Sequence, residues 1–79
     1  MNNYKIGSFI AKKRNQLGIT QRQLAERLYV TDKTISRWET GMYLPPADAL
    51  LMISELFDVS INEILCGKRL SKEEYKEAA

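Results

Sequence analysis

The same start signal for an α-helix occurs three times in this chain of 79 residues, and it limits what the chain can fold into. A Thr or Ser stands three residues before a Gln or Glu, so that each side chain can bond a backbone amide of the helix start. The signal is found at Thr20 with Gln23, Ser60 with Glu63, and Ser71 with Glu74. A fourth start, at Thr31, lacks the second partner. The chain is therefore predicted to form consecutive short helices.

Glycine and proline lie at the ends of the apolar, helix-periodic segments and mark their boundaries. No segment alternates with a period of two, as a half-buried strand would. The predicted helices are 6–17, 21–28, 32–40, 46–57 and 61–65, with a further turn or two after Ser71. We expect a compact, five-helix all-α domain in residues 1–67, and a C-terminal tail or linker helix in 68–79.

Each predicted helix has an apolar face that can be buried. The residues expected in the core of the first three helices are Ile6, Phe9, Ile10, Leu17, Leu24, Ala25, Leu28, Ile35 and Trp38. The fourth helix is apolar on most sides and is predicted to be the central buried element, through Leu50, Leu51, Ile53, Leu56 and Phe57. Cys66 is expected to be a small buried apolar side chain.

Histidine is absent and Cys66 is the only cysteine, which excludes several classes of site. The chain lacks the commonest general base and metal ligand, and it cannot form an internal disulfide or a zinc thiolate cluster. We therefore predict no catalytic residue, no metal and no cofactor. No apolar run approaches the ~20 residues of a membrane span, and the N-terminal residues lack the apolar stretch of a signal peptide. A cytoplasmic protein is expected.

The net charge of +2 is unevenly distributed along the chain. Residues 1–44 contain eight Lys or Arg and three acidic residues, whereas residues 45–79 contain four and seven. This asymmetry favours a polyanionic partner for the first half, although a chance excess of charge on a solvated surface is common.

Only Tyr29, Val30 and Thr31 separate the second predicted helix from the third, which indicates a sharp crossing of the two helices. With Ile35 and Trp38 facing inward, the opposite face of the third helix carries a polar, basic stripe. The stripe consists of Lys33, Ser36, Arg37 and Thr40, with Thr34 on its flank. Side chains of these types read base edges or hold phosphates, and a major groove admits one α-helix.

The stretch GITQRQLAERLYVTDKTISRWETG resembles the helix-turn-helix of the Cro/C1-type (XRE) family of bacterial and phage repressors. The following LPPADALLMISELFDVSINEILCG is similar to the fourth and fifth helices of that family. The resemblance implies a lambda-repressor-like fold and sequence-specific binding of double-stranded DNA by a transcriptional regulator, in particular a repressor. Because one such module makes few base contacts, useful specificity needs two copies, and we expect a homodimer on DNA.

The resemblance also assigns roles to individual residues. The base-facing residues would be Lys33, Thr34, Ser36 and Arg37. The phosphate contacts would be made by Gln21, Thr31, Thr40 and Tyr43. Arg14 and Glu39 occupy positions that form an ion pair between the first and third helices in the family. The dimer surface is expected on the fifth helix and the tail, through Ile64, Leu65, Leu70 and Tyr75.

Two positions depart from the family pattern. The family commonly has Gly or Asn four residues after Ala25, because the turn favours a left-handed backbone; this chain has Tyr29. The turn is therefore either strained or differently shaped. Lys13 stands where an aliphatic residue is usual, and its methylene stem is expected to cover the core.

Two alternative interpretations compete with DNA binding. A basic helix face is, taken alone, more often an ordinary solvated surface. The acidic second half and its apolar helices would also suit a protein-interaction module, such as an antitoxin or an adaptor. An enzyme is a distant third, since no acid–base pair or nucleophile–base constellation can be assembled.

Overall fold

The computed structural model describes residues 2–78 and shows six α-helices and no strand in that range. The helices are α1 (Asn3–Gln16), α2 (Gln21–Leu28), α3 (Asp32–Glu39), α4 (Ala47–Phe57), α5 (Ile61–Cys66) and α6 (Lys72–Ala78). The all-α fold class is confirmed. The domain predicted for residues 1–67 contains five helices, α1–α5, and the segment after Ser71, where a further turn or two was expected, forms the sixth, α6.

The predicted helix starts are present as hydrogen bonds. At α2, the Thr20 hydroxyl accepts from the Gln23 amide at 3.0 Å, and the Gln23 side chain accepts from the Thr20 amide at 2.8 Å. The same reciprocal pair occurs at the starts of α5 and α6. At α3, Thr31 accepts from the Thr34 amide at 3.2 Å. Each bond satisfies an amide that the helix itself leaves unpaired.

Five predicted boundaries shift. The ends of α1 (Gln16) and α5 (Cys66) each move by one residue. α1 begins earlier, at Asn3, because the Asn2 side chain caps it by accepting from the Lys5 amide at 3.1 Å. α4 begins at Ala47, with Pro46 as its extended N-cap residue. α3 ends at Glu39, and Thr40 is its C-cap residue.

The core is formed where α1 packs against α3 and α5, α2 against α3, and α4 against α5 and α2. Its most deeply buried side chains are Ile6, Ile10, Leu24, Ile35, Ile53 and Ile64. α1 and α3 approach closely at Gly7: a Cβ placed there would lie 2.2 Å from the carbonyl oxygen of Trp38. This contact fixes the position of α3 against the rest of the domain.

Three expectations about burial are wrong. Leu17 is 51% exposed, because it is the C-cap residue beyond the last turn of α1, where the chain turns through Gly18. Leu51 is 52% exposed, so α4 has a solvent face and is not enclosed on most sides. Cys66 is exposed, since it is the last residue of α5 before the left-handed Gly67.

The segment after α5 is attached to the domain through the carboxylate of Glu63, which is 4% exposed. This carboxylate accepts from the Leu70 amide at 2.8 Å and pairs with the Arg69 guanidinium at 3.1 Å. The hydroxyls of Ser60 and Tyr75 are also hydrogen-bonded to each other. Among residues 2–78, no helix has the length and apolar character needed to cross a bilayer.

Candidate nucleic-acid interface

The turn between α2 and α3 is the left-handed turn that a helix-turn-helix requires. Tyr29 adopts φ 59° and ψ 39°, and the Val30 amide bonds the Ala25 carbonyl at 3.0 Å. Of the two possibilities left open at Tyr29, the strained left-handed backbone is therefore the one observed. The Tyr29 side chain is 88% exposed.

The orientation of α3 agrees with the sequence prediction. Ile35 and Trp38 are 0% and 4% exposed and face the core. On the opposite side, Lys33 and Arg37 are exposed, and neither takes part in an ion pair with a side chain of residues 2–76. With Trp38 buried, α3 therefore presents to solvent two cations that pair with no carboxylate among residues 2–76.

The polar residues that flank Lys33 and Arg37 on α3 differ in exposure and in the hydrogen bonds that their hydroxyls already make. Thr34 and Ser36 are partly exposed, and the Thr34 hydroxyl is 2.9 Å from that of Thr31. The Thr40 hydroxyl is exposed and donates to the Ser36 carbonyl at 2.9 Å. The hydroxyls of Thr34, Ser36 and Thr40 each keep a free acceptor lone pair, and the bond between Thr31 and Thr34 uses one of their two O–H donors and leaves the other free.

The predicted ion pair between Arg14 and Glu39 is present and largely buried, with side-chain exposures of 12% and 6%. Two hydrogen bonds join the guanidinium to the carboxylate, at 2.7 and 3.0 Å, and Arg14 also donates to the Ile19 carbonyl at 2.9 Å. The hydrogen bond to Glu39 raises the pKa of Arg14, although burial opposes it.

The same carboxylate holds Gln21 at the start of α2. Its Nε2 donates to Glu39 Oε1 at 3.0 Å. Because an amide nitrogen carries two hydrogens, one donor is left for another partner. Beside it lie the first backbone amides of α2, which have no partner within the helix and form the positive end of its dipole.

The loop after α3 is fixed to the end of that helix. The amides of Met42 and Tyr43 both donate to the Arg37 carbonyl, at 2.9 and 3.2 Å. The two side chains are 63% and 57% exposed. Gly41 brings this loop against Tyr4, which is 69% exposed. The sequence did not predict that Tyr4 lies beside this loop, because the predicted start of α1 was residue 6.

The described residues contain no group of three or more His, Cys, Asp or Glu side chains that could hold a metal ion. The interface is therefore built from cations, hydroxyls, one amide and helix-end amides. Such groups donate to phosphate oxygens and to the acceptor edges of bases.

Comparison with known proteins supports this interpretation. A profile of helix-turn-helix proteins matches residues 10–64, which run from α1 into α5. The chain belongs to the Cro/C1-type (XRE) helix-turn-helix family of transcriptional regulators. The family resemblance drawn from the sequence is thereby confirmed. This is a family of DNA-binding regulators and not a family of enzymes.

Two curated relatives and one solved structure are informative. The HTH-type transcriptional activator BcrR of Enterococcus faecalis is 48% identical over 52 residues, covering 66% of this chain and 26% of BcrR. The transcriptional regulator ImmR of Bacillus subtilis is 31% identical over 67 residues, covering 85% of this chain and 53% of ImmR. This chain therefore spans about a quarter to a half of these relatives.

The solved structure is that of the P22 c2 repressor in complex with synthetic operator 9T. It superimposes with a TM-score of 0.75 and 30% sequence identity, covering 80% of this chain and 96% of the repressor chain. The relatives thus include an activator and a repressor.

Proposed function

We propose that this chain is the DNA-binding domain of a transcriptional regulator, which binds double-stranded DNA sequence-specifically with α3 in the major groove. The observation that carries the proposal is the orientation of α3, whose Trp38 is buried while Lys33 and Arg37 are exposed and unpaired with any carboxylate of residues 2–76. The function is binding, without catalysis. The domain comprises residues 1–67, and 68–79 form a C-terminal tail or linker helix.

The base contacts are assigned to the exposed side of α3. Arg37 and Lys33 donate to the acceptors of guanine, and Arg37 can do so with two parallel hydrogen bonds. Thr34 and Ser36 lie beside them and can donate to or accept from either kind of base edge.

The phosphate contacts are assigned to residues on both sides of α3. Gln21 uses its second amide hydrogen, together with the free amides at the start of α2. Tyr43 contributes its hydroxyl from the loop fixed to Arg37. Thr31 and Thr40, at the two ends of α3, complete the set. These contacts hold the register of α3 and carry no sequence information themselves.

Two copies are required for useful specificity. One α3 contacts only a few base pairs, and helix-turn-helix dimers bind half-sites about 34 Å apart or a multiple of that distance. We infer a homodimer on DNA. We also infer that it acts as a repressor, as the resemblance to bacterial and phage repressors implies; the similarity to the P22 c2 repressor supports this.

Selection of bound duplexes from a random pool tests the proposal directly. We expect recovered sites with two related half-sites, and binding that weakens steeply between about 50 and 200 mM salt. Recovery of no common sequence, together with no retention of any duplex at low salt, would refute it. That result would favour the protein-interaction module instead.

A further inference from the structure

A cleft lies between α1 and the segment that follows α5. Its volume is about 370 Å³, which is within the range of small-molecule sites. One wall is segment 67–69, and the other is the side of α1 that carries Ser8, Lys12, Lys13 and Gln16. We call this cavity the basic cleft. The proposed function uses none of these residues.

The two walls meet at Gly67, the left-handed residue that ends α5. A Cβ placed there would lie 2.8 Å from the carbonyl oxygen of Lys5, so segment 67–69 passes directly against α1. The buried Glu63 carboxylate pairs with Arg69 at 3.1 Å and holds the end of this segment. The basic cleft is therefore formed by the fold itself, without a ligand.

The sequence placed a dimer surface on α5 and the tail, and the structure corrects this for Ile64. Ile64 is 0% exposed and belongs to the core. Leu65, Leu70 and Tyr75 are only partly exposed, and the Tyr75 hydroxyl is hydrogen-bonded to that of Ser60 within the chain. These contacts attach the segment after α5 to the domain, so that wall of the basic cleft has a fixed place.

Four cations line the basic cleft, two on each wall, and no acidic residue in the described part of the chain does so. On α1, Lys12 is exposed and forms no ion pair with a side chain of residues 2–76. The Lys13 ammonium lies 5.6 Å from the ring centre of Phe9, a cation–π distance that holds it at the cleft wall.

The two cations of the other wall have carboxylate partners. Lys68 pairs with Glu74 at 2.7 Å and Arg69 with Glu63 at 3.1 Å, and neither carboxylate lines the cleft. Counting both carboxylates, the basic cleft keeps a surplus of two positive charges. Like charges around one cavity repel one another, and an anion bound between them replaces that repulsion with attraction.

We propose that the basic cleft binds a small molecule that carries a diphosphate group. Two linked phosphoryl groups match two pairs of neighbouring cations, one pair on α1 and one on segment 67–69. Ammonium and guanidinium groups make charge-assisted hydrogen bonds to phosphate oxygens. The cleft is larger than a diphosphate alone, which leaves room for an organic part such as a nucleoside.

The basic cleft lies on the side of α1 away from α3. Gly7 and Arg14 are the residues of α1 that contact α3 at Glu39. Because an α-helix has about 3.6 residues per turn, Lys12 and Gln16 lie about 140° and 180° round α1 from Gly7. A duplex held by α3 therefore leaves the cleft open, and binding at the cleft is independent of the proposed DNA binding.

NMR titration of the ¹⁵N-labelled chain with inorganic pyrophosphate, at one fixed ionic strength, tests the site. We expect saturable shifts of the amides of residues 8–16 and 67–70, with a Kd of about 1 mM or below. Shifts confined to α3 and the start of α2 would place the phosphates in the proposed DNA interface and overturn the proposal. The absence of saturation by about 10 mM would overturn it as well.

Lys12→Gln is the decisive variant, because Lys12 is exposed and its replacement breaks no ion pair among residues 2–76. We expect it to weaken pyrophosphate binding about fivefold or more. Lys76→Gln removes an exposed cation of α6 outside the cleft and is the matched control, expected to bind like wild type. Equal weakening in the two variants would mean that net charge alone attracts the anion, and the proposal would fall.

Two further probes separate the sources of the anion. Adenosine diphosphate that shifts the same amides and binds more tightly than pyrophosphate would identify a nucleoside diphosphate, and equal affinity would limit recognition to the diphosphate group; both results support the site. Hexaglutamate that binds at these amides where pyrophosphate does not would overturn the proposal in favour of an acidic protein segment.

The titration is repeated with a short DNA duplex at low salt. Pyrophosphate shifts at residues 8–16 and 67–70 that persist while the duplex occupies α3 support the proposal. Displacement of pyrophosphate by the duplex would make the cleft part of the nucleic-acid interface and overturn it. If no duplex binds, the proposed function fails, and the pyrophosphate titration still decides the cleft.

Discussion

Arg14 of α1 and Glu39 of α3 face each other in a two-pronged ion pair, with nitrogen–oxygen distances of 2.7 and 3.0 Å. The same carboxylate accepts from Gln21 at the start of α2 at 3.0 Å. One buried side chain on the inner side of α3 therefore joins the three N-terminal helices. The proposed phosphate contact and the proposed base-reading helix are thus held in one geometry.

Replacement of Glu39 should destabilise the fold strongly. Glu39→Ala leaves the Arg14 guanidinium, 12% exposed, without its charge partner, and breaking a buried pair in this way costs about 3 kcal/mol. Urea denaturation measures the loss of unfolding free energy. Glu26→Ala is the control: it removes an exposed pair with Arg22 at 3.9 Å, which is worth less than about 1 kcal/mol. Equal losses in the two variants would contradict the role of Glu39.

Gly7 is the position where α1 and α3 are closest. A Cβ there would lie 2.2 Å from the Trp38 carbonyl oxygen and 2.6 Å from that of Glu39, so the helices must separate. We expect Gly7→Ala to destabilise the fold by about 3 kcal/mol, as overpacking of backbone against backbone does at its upper range. Gly18→Ala is the control in thermal unfolding. It meets no atom within 4 Å and carries only the strain of φ +71°, about 1 kcal/mol. A Gly7→Ala variant as stable as Gly18→Ala would be the contrary result.

Local signals in the sequence predicted much of this fold. The reciprocal side chain–backbone hydrogen bonds that cap α2, α5 and α6 join residues three apart, so their geometry depends only on the helix start. The period of α3 likewise placed Trp38 inside and Arg37 outside without knowledge of its neighbours. The family resemblance drew attention to the backbone at Tyr29 but left its conformation open, and the structure shows it to be left-handed.

What the sequence did not predict depends on contacts between distant segments. Leu17 and Leu51 have the right period for burial, yet burial needs a neighbouring element to cover them, and none of the described helices does so. The close approach at Gly7 involves residues 38 and 39, which no local pattern connects to it. The place of Tyr4 beside Gly41 is non-local in the same way. The attachment of Leu70 to Glu63 required that the tail fold back on α5.

Tyr29→Gly should stabilise the monomer. The substitution removes the left-handed strain, which stabilises the fold, but it also makes the unfolded chain more flexible, which destabilises it. The first effect is the larger, so the free energy of unfolding should rise by about 0.5 kcal/mol. Asp58, at φ 53°, offers the comparison. Asp tolerates this conformation better than an aromatic residue does, so Asp58→Gly should raise the free energy of unfolding by less than Tyr29→Gly. Urea denaturation at low chain concentration measures both, and a destabilised Tyr29→Gly would show that its ring packs within the monomer.

The stability of the fold should depend on pH through Glu63. Burial acts to raise the pKa of its carboxyl, but hydrogen bonds from the Ser60 and Leu70 amides and the charge of Arg69 outweigh burial, so the pKa lies below the ordinary 4.5. A carboxyl with a lowered pKa contributes its full stability above 4.5, and this contribution is lost as the pH falls through the folded-state pKa.

Comparison of wild type with Glu63→Gln isolates this contribution. The variant should be less stable at pH 7, and the difference in unfolding free energy should narrow as the pH falls below about 4.5, where the wild-type carboxyl becomes neutral too. Urea titrations at several pH values between about 3 and 7 measure the difference. A difference that does not change with pH would mean that the charge of Glu63 contributes nothing.

Arg37 and Gln21 should affect DNA binding in different ways. Arg37→Ala removes a base contact, so we expect it to lose about 1–3 kcal/mol on a selected site and much less on random duplex. Gln21→Ala removes a phosphate contact and should weaken both duplexes by a similar factor. Lys76→Ala, an exposed cation on α6 outside the proposed interface, controls for the loss of net charge. Titrations of fluorescent duplexes at one fixed salt concentration measure all three. Equal losses on both duplexes for Arg37→Ala would remove Arg37 from the base-reading set, and a sequence-dependent loss for Gln21→Ala would move Gln21 into it.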